Sequence, residues 1–500
     1  MTQSSSAASP PPSSQAVQWR TVFLDALRKE GAHIQEGLFA QMDVFALVQQ
    51  KELKTCNGNN ANNPYFACAL PKAPGQPPTV PDSVSVPNPK HPLNRLHVSI
   101  HLNPADAIVL VGLTPPEVKY FSHIPFLNTS RVHPTAAKLT ERDLQGRLIR
   151  NKPIECVPEP GLRRILFAGL GDPLNNMKIS TPGTPHGASG CPFEQLFMLI
   201  YASDEGVLNE VKVAARQAGY PDTCINAIVI PSDVVHLGVD AKSDELCLVQ
   251  RVSNNPTDQK KFSEYLSSPP VDVFRITSAR PPRAPLATPF LTPRGNGRTE
   301  FNLWKPTERL RQAILDTYQH EFDAIELTTD VWLNESYFAL QQGVDNLGES
   351  RDTTYLATEQ FVLPVNAFMV AYGVNHEQTR KAVYSNLVVY GSSLDNGVVS
   401  VASSKFAGSA AQYLDDPQAS SLYAWKLGFQ KIGTGSNSKY TVIPTVDNKA
   451  QPPVAPPYGL DPKEPIYMGF RAYLEPSTKV GPIWHELILD RVIVFLPKQR

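Results

Sequence analysis

Residues 197–231 read FMLIYASDEGVLNEVKVAARQAGYPDTCINAIVIP. The run FMLIYA (197–202) has the length and composition of a strand. Residues 204–220 put Val207, Val211, Ala214, Ala215 and Ala218 on one helical face. Asp204 is placed to cap the helix N-terminus, and Gly219 to stop it. INAIVIP (225–231) follows at once as a second strand. Strand, helix, strand with short joins describes a split βαβ-like unit with one helix on a sheet.

The flanking sequence extends that sheet. Upstream, RLHVSIHL (95–102), AIVLVGL (107–113), VKYFSHI (118–124) and RRILFAGL (163–170) are short apolar runs bounded by turn signals. Downstream, LCLVQRV (246–252) and VDVFRIT (271–277) add two more. Residues 95–278 are therefore expected to form an α+β domain. The Pro- and Gly-rich stretch 279–299 is the expected linker. An amphipathic helix from Pro306 to Phe322 opens the rest. Beyond it TTYLATEQFVLP (353–364), AFMVAYGV (367–374), VYSNLVVYG (383–391), GVVSVAS (397–403), YTVIPTV (440–446), IYMGFRAYLEP (466–476) and ELILDRVIVFLP (486–497) all read as strands. Residues 300–500 thus predict a β-sandwich or jelly-roll-like second domain. The expected class is α+β, strand-rich, in two domains. The sequence shows no convincing internal repeat, although a sandwich in both halves would leave none.

The N-terminal part is organised differently. Residues 1–15 are a polar arm expected to be disordered. Helices are expected over Ala16–Glu30 and Gly37–Lys54, with Gly31 as the stop between them. The polar, Asn- and Pro-rich stretch 57–94 is expected to wrap over a domain surface, completing a 16–94 wrapping segment.

Composition bounds function. The chain has 500 residues, with 46 Lys+Arg against 47 Asp+Glu and a net charge of −1, which disfavours a dedicated nucleic-acid binder. No apolar run approaches the ~18 residues of a membrane span. No secretory leader is evident, so a cytoplasmic protein fits the sequence as it stands, and an exported one fits if a leader has been removed. The six cysteines contain no CxxC pair. Cys56 and Cys68 bracket the loop CNGNNANNPYFAC, either as a short-loop disulfide or as separate thiols. Oligomeric state is not legible.

The familiar motifs fail. FAGLGDPLNN (167–176) has Leu174 where the third glycine of a dinucleotide loop belongs, so no dinucleotide cofactor is expected. Walker, GxSxG and HExxH patterns are missing. His97 and His101 lie in RLHVSIHL; on a regular strand positions i and i+4 are ~13 Å apart, too far to share one ion without a bulge. No metal site is expected, and the pair reads as sheet-face histidines.

Polar residues cluster instead at strand ends of the second half. ESRDTTYL (349–356) carries Arg351, Asp352 and Tyr355. YGVNHEQTRKAVYSN (372–386) carries His376. FRAYLEPSTKVGPIWHEL (470–487) puts Arg471, Tyr473 and Glu475 on one face. Such residues serve either as structural ion pairs or as a ligand site at one mouth of a sandwich. RDTTY (351–355), YGVNH…YSNLVVY (372–390) and FRAYLEP (470–476) resemble an uncharacterised family of bacterial β-rich two-part proteins, over roughly the last 150 residues. That resemblance implies a fold and no activity.

The expected function is an enzyme acting on a small acidic or polar organic molecule in a pocket of the C-terminal domain. His376 would be the acid/base and Asp352 its orienting partner. Arg351 and Arg471 would anchor an anion, with Tyr355 and Glu475 completing the lining. The alternative is a non-catalytic ligand-binding or interaction protein, favoured by the lack of any recognised nucleophile.

Overall fold

The computed structural model describes residues 13–80, 82–90, 94–131, 140–142, 148–153, 156–157, 163–432, 439–446 and 459–498. Of the expected N-terminal arm, residues 1–12 lie outside this set. The protein is α+β and strand-rich, and the chain divides into two compact units. The first comprises residues 1–42, 64–291 and 335–350; the second comprises 43–63, 292–334 and 351–500. The division departs from the contiguous domains expected at 95–278 and 300–500. Two segments, 43–63 and 335–350, belong to the unit that is remote in sequence.

Ten strands build the first unit's two main sheets: β1 (His33–Glu36), β2 (Leu38–Met42), β3 (Tyr65–Ala69), β4 (Asp106–Leu113), β5 (Phe121–Arg131), β6 (Arg163–Gly169), β7 (Leu196–Ala202), β8 (Ile225–Val229), β9 (Glu245–Val252) and β10 (Val271–Thr277). One sheet runs β1-β10-β4-β7-β8, the other β6-β5-β9-β3-β2 with the short strand Cys156–Val157 beyond β6. The β7–β8 pair is parallel, as the strand-helix-strand reading requires. The main helices are α1 (Ser13–Lys29), α3 (Glu205–Gln217) between β7 and β8, and α4 (Gln259–Ser267) between β9 and β10; α2 (Val44–Gln49) belongs to the second unit.

Alternation along β7 shows the layering. Phe197, Leu199 and Tyr201 join a core shared with Phe66 of β3, Phe121 of β5 and Leu248 of β9. Met198, Ile200 and Ala202 point the other way, onto Val207, Val211, Ala214 and Ala215 of α3 and Phe23 and Leu27 of α1. Both faces of the strand are buried, so its sequence is continuously apolar. The helical face expected at 207–218 is the one that packs, and a second sheet lies behind the first.

The second unit contains α5 (Trp304–Tyr318) and ten strands: β11 (Phe322–Leu327), β12 (Thr329–Val331), β13 (Thr353–Thr358), β14 (Phe368–Val374), β15 (Tyr384–Gly391), β16 (Asn396–Ala402), β17 (Leu422–Gly428), β18 (Tyr440–Val442), β19 (Ile466–Tyr473) and β20 (Arg491–Pro497). Its sheets run β11-β20-β14-β17-β18 and β16-β15-β19-β13-β12, with β17 and β18 parallel. One core holds side chains of both sheets, among them Met369, Trp425 and Val494 from the first and Leu387, Met468 and Phe470 from the second. This is a two-sheet sandwich. Leu310 and Ile314 of α5 cover the outer face at Phe368, Val370 and Tyr372.

Adding ten to each strand number of the first unit gives the second. Strand order, the parallel edge pair and the leading helix all repeat. The excursion between the second and third strands repeats too, as α2 and as α6 (Ser336–Gln342), which share the triplet Phe-Ala-Leu at 45–47 and 338–340.

Two sequence expectations change here. Gly37–Lys54 is not one helix: residues 38–42 pair with β3, and Asp43 starts α2 by accepting the amides of Phe45 and Ala46 on its carboxylate. The Asn-rich loop that follows is not a surface wrap. Asn59, Asn60 and Asn63 are buried in the second unit. Asn60 donates to the Tyr473 hydroxyl at 2.8 Å, and Asn59 accepts from the Gly397 amide at 2.8 Å. Cys56 and Cys68 are separate free thiols, both buried. The expected 279–299 linker contains the boundary between the units, after Leu291. Arg283 and Ala284 amides bond Asp204 in the first unit, and Asn296 and Gly297 amides bond Glu486 in the second. Among the described residues, no helix is long and apolar enough to cross a membrane.

Candidate functional site

His376 follows β14, where the chain turns away from the sheet. Its ring is 2% exposed and lies between two carboxylates, Glu300 at 2.9 Å from Nδ1 and Asp490 at 3.4 Å from Nε2. Glu300 also accepts from the Thr379 hydroxyl and the Ile488 amide, and Asp490 from the Tyr423 hydroxyl. Burial alone would push the histidine pKa down. The two negative charges outweigh it and raise the value to about 10. At neutral pH the ring is an imidazolium with both nitrogens engaged, which suits a structural ion cluster better than proton transfer.

The partners of His376 are Glu300 and Asp490 rather than the expected Asp352. Asp352 is fully buried, and its Oδ1 accepts from the Thr353 hydroxyl at 3.3 Å. Arg351, 7% exposed, donates to the Thr292 carbonyl at 2.6 Å. Glu475, also fully buried, takes a short bond from Lys381, which donates a second at 2.6 Å to Glu486. Arg471 and Tyr355 do come together. The Arg471 guanidinium lies 5.2–5.5 Å from the ring centres of Trp332, Tyr355 and Tyr390. It donates to the Tyr390 hydroxyl and, at 2.6 Å, to the Gly58 carbonyl. Arg471, Tyr473 and Tyr384 thus all bond the loop 57–63.

His123 is a fully buried residue of β5 in the first unit. It bonds Gln250 at 3.0 Å, and burial lowers its pKa to about 3, so the ring is neutral.

The first unit holds an open cavity of about 380 Å³. Its floor is the carboxyl end of the parallel pair: Ser203 and Asp204 follow β7, and Ser232 and Val235 follow β8. His236, Leu237 and Pro104 line one side, and the Pro282–Pro285 strap the other. Asp204 caps α3 through the Val207 amide and holds the strap through Arg283 and Ala284 amides. The Ser203 hydroxyl is buried and makes no hydrogen bond among the described residues. Sequence reasoning assigned Asp204 its capping role and missed the cavity. Polar residues directly after the two strands of a parallel pair were the available signal.

A buried polar cluster also lies in the first unit, at Asp82, His101 and Glu245. No family model matches the chain, and no curated protein matches it. Among solved structures, the crystal structure of the VPA0106 protein from Vibrio parahaemolyticus, a structural-genomics target, is similar over 96% of this chain and 99% of that one, at 8% identity and a TM-score of 0.33. A likeness of that degree carries nothing about activity.

Proposed function

We propose that the protein is a non-catalytic binder of a small polar organic molecule, held in the first-unit cavity. The observation that carries this is the cavity's place at the carboxyl ends of β7 and β8, where open α/β sheets bind ligands. Its volume, about 380 Å³, falls within the roughly 300–1,000 Å³ of small-molecule sites. The Ser203 hydroxyl supplies a buried donor and acceptor. The Arg283 side chain on the strap is available to an acidic group. The enzyme reading is less well supported, because His376 and its partners are spent on one another.

The test is a screen of small carboxylic acids, amino acids and polyols against the full chain, read by ligand-observed NMR and thermal shift. Binders should raise Tm by several degrees and lose affinity at least tenfold in Ser203→Val and Arg283→Ala. A screen without binders, or binding indifferent to both variants, overturns the proposal. A turnover abolished by His376→Gln at unchanged Tm would restore the acid/base reading.

A further inference from the structure

We propose that Asp82, His101 and Glu245 form a buried binding site for a first-row divalent cation, zinc foremost. Each residue offers one ligand atom, and the three atoms lie within 4.8 Å of one another. His101 Nε2 and Glu245 Oε1 are 3.9 Å apart. Ligand atoms around tetrahedral zinc, ~2.0–2.2 Å from the metal, are ~3.4 Å from each other. Closing the widest pair by up to about 1.4 Å therefore seats the ion.

The chain brings these residues together through a local irregularity. After the short strand Arg95–His97, the amides of Val98 and Ser99 both donate to the carbonyl of Val84. Two residues against one is a bulge. It breaks the regular i, i+4 separation, and pairing resumes at Ile100 with Leu246. His101 then reaches Glu245 at the start of β9, while the His97 Nδ1 stands 3.2 Å from Asp82 Oδ2. His97 is thus an outer imidazole within ion-pair distance of a ligating carboxylate.

Charge and hydrogen bonding favour a cation. His101, Glu245 and the Asp82 side chain are each 1% exposed. Glu245 is oriented by neutral donors: the Ser83 amide and the hydroxyls of Ser83, Ser99 and Thr129. Asp82 Oδ1 accepts from Gln76, but its Oδ2 is buried and accepts no hydrogen bond among the described residues. Two cationic side chains stand near. Lys72 is 3.9 Å from Asp82 Oδ2, yet its ammonium is bonded to the carbonyls of Pro78 and Val80. Arg275 pairs with Asp106 at 2.9 Å. Two buried carboxylates beside an imidazole form a donor set suited to zinc, iron(II) or manganese. Burial leaves no path for a substrate, so the ion would brace the loop 82–84 against β9. The site is separate from the cavity, and either can fail without the other.

The test uses the full chain, stripped with a chelator and titrated with zinc chloride in a calorimeter at pH 7.5. One ion per chain should bind, with release of protons and a rise in Tm of several degrees. Asp82→Asn and His101→Gln should each weaken binding at least tenfold, with their own stripped Tm recorded to exclude misfolding. Saturable binding that both folded variants retain places the ion elsewhere and overturns the proposal. So does the lack of saturable binding by zinc, iron(II) or manganese. In that case the three residues form a purely structural polar cluster.

Discussion

The two units use one plan and fill it with different polar chemistry. In each, an arginine on the ninth strand of the set, Arg251 of β9 or Arg471 of β19, pairs across the sheet with a tyrosine, Tyr65 or Tyr355. Each donates to the carbonyl of a left-handed glycine, Gly348 or Gly58. That glycine belongs to the excursion between the second and third strands, and the residue before it, Leu347 or Asn57, is also left-handed. Each arginine lies over an aromatic ring of the fifth strand, Phe126 or Tyr390. The strand residue opposite that ring is a glycine, Gly169 or Gly397, whose missing Cβ makes room for the carbonyl of Glu349 or Asn59. A match at this many positions marks a repeated framework.

The differences fall elsewhere. Where Ile100 bridges Leu246 and is followed by His101, the second unit has Phe361 bridging Ile466 and followed by Val362. Glu245, just before that bridge, is matched by Pro465. The ligand set thus belongs to the first unit alone. The second unit has instead the His376–Glu300–Asp490 cluster. The shared residues hold the excursions, and the unshared buried polar groups distinguish the two units.

The largest expected effect separates the units. His376→Leu removes the cation between Glu300 and Asp490 and should cost about 3–5 kcal/mol in urea unfolding. In the wild type the folded pKa of His376 stands at about 10, raised above an unfolded value of ~6.5. Its contribution is therefore complete below about pH 6.5 and is lost as pH rises toward 10. Wild-type stability should decline over that window, and the variant should lack that decline. A flat wild-type profile would remove the histidine from the second unit's distinctive core.

A smaller, matched effect tests the shared framework. Gly58→Ala and Gly348→Ala each force a Cβ onto a left-handed residue, at φ +62° and +71°. The added atom would stand 2.9 Å from the Trp332 ring in one case and 2.5 Å from the Phe167 ring in the other. Backbone strain of ~1–2 kcal/mol and overpacking of ~1–3 kcal/mol give a loss of about 2–5 kcal/mol for each. Losses that differ by more than about 2 kcal/mol would break the equivalence of the two excursions.

How much of this was legible follows from where each signal sits. The strand-helix-strand segment was readable because its caps, periodicity and apolar runs are all local to 197–231. β17, the strand LYAWKLG at 422–428, was missed in a stretch crowded with short turns. β2 was misread because Leu38, Phe39 and Met42 fall at helical spacing; their strand state depends on pairing with β3, which no local pattern reports. The repeat was hidden for the same reason: its equivalences are cross-strand partners and left-handed turns, with only Phe-Ala-Leu kept as a run. For the site, residue type was legible and role was not. His376 and Arg471 stand out as polar residues near strand ends, but their partners, Glu300, Asp490 and the Gly58 carbonyl, come from distant parts of the chain.

The smallest expected effect decides what the two arginines are for. Arg251→Met and Arg471→Met keep most of the aliphatic volume and remove the guanidinium. Each leaves a buried glycine carbonyl without its donor, a loss of about 1–3 kcal/mol. Among the described residues Arg471 contacts three rings and Arg251 contacts Phe126, so cation–π loss should make Arg471→Met the costlier, by up to ~1 kcal/mol. Arg→Lys should recover little at either site, because a single ammonium cannot reproduce a planar fork that bonds a carbonyl and stacks on a ring. Equilibrium unfolding of the four variants measures this directly. If Arg471→Met leaves stability unchanged but abolishes binding of a small acid, Arg471 is a ligand residue, as its place near a strand end first suggested. The resemblance to Arg251 would then be one of position alone.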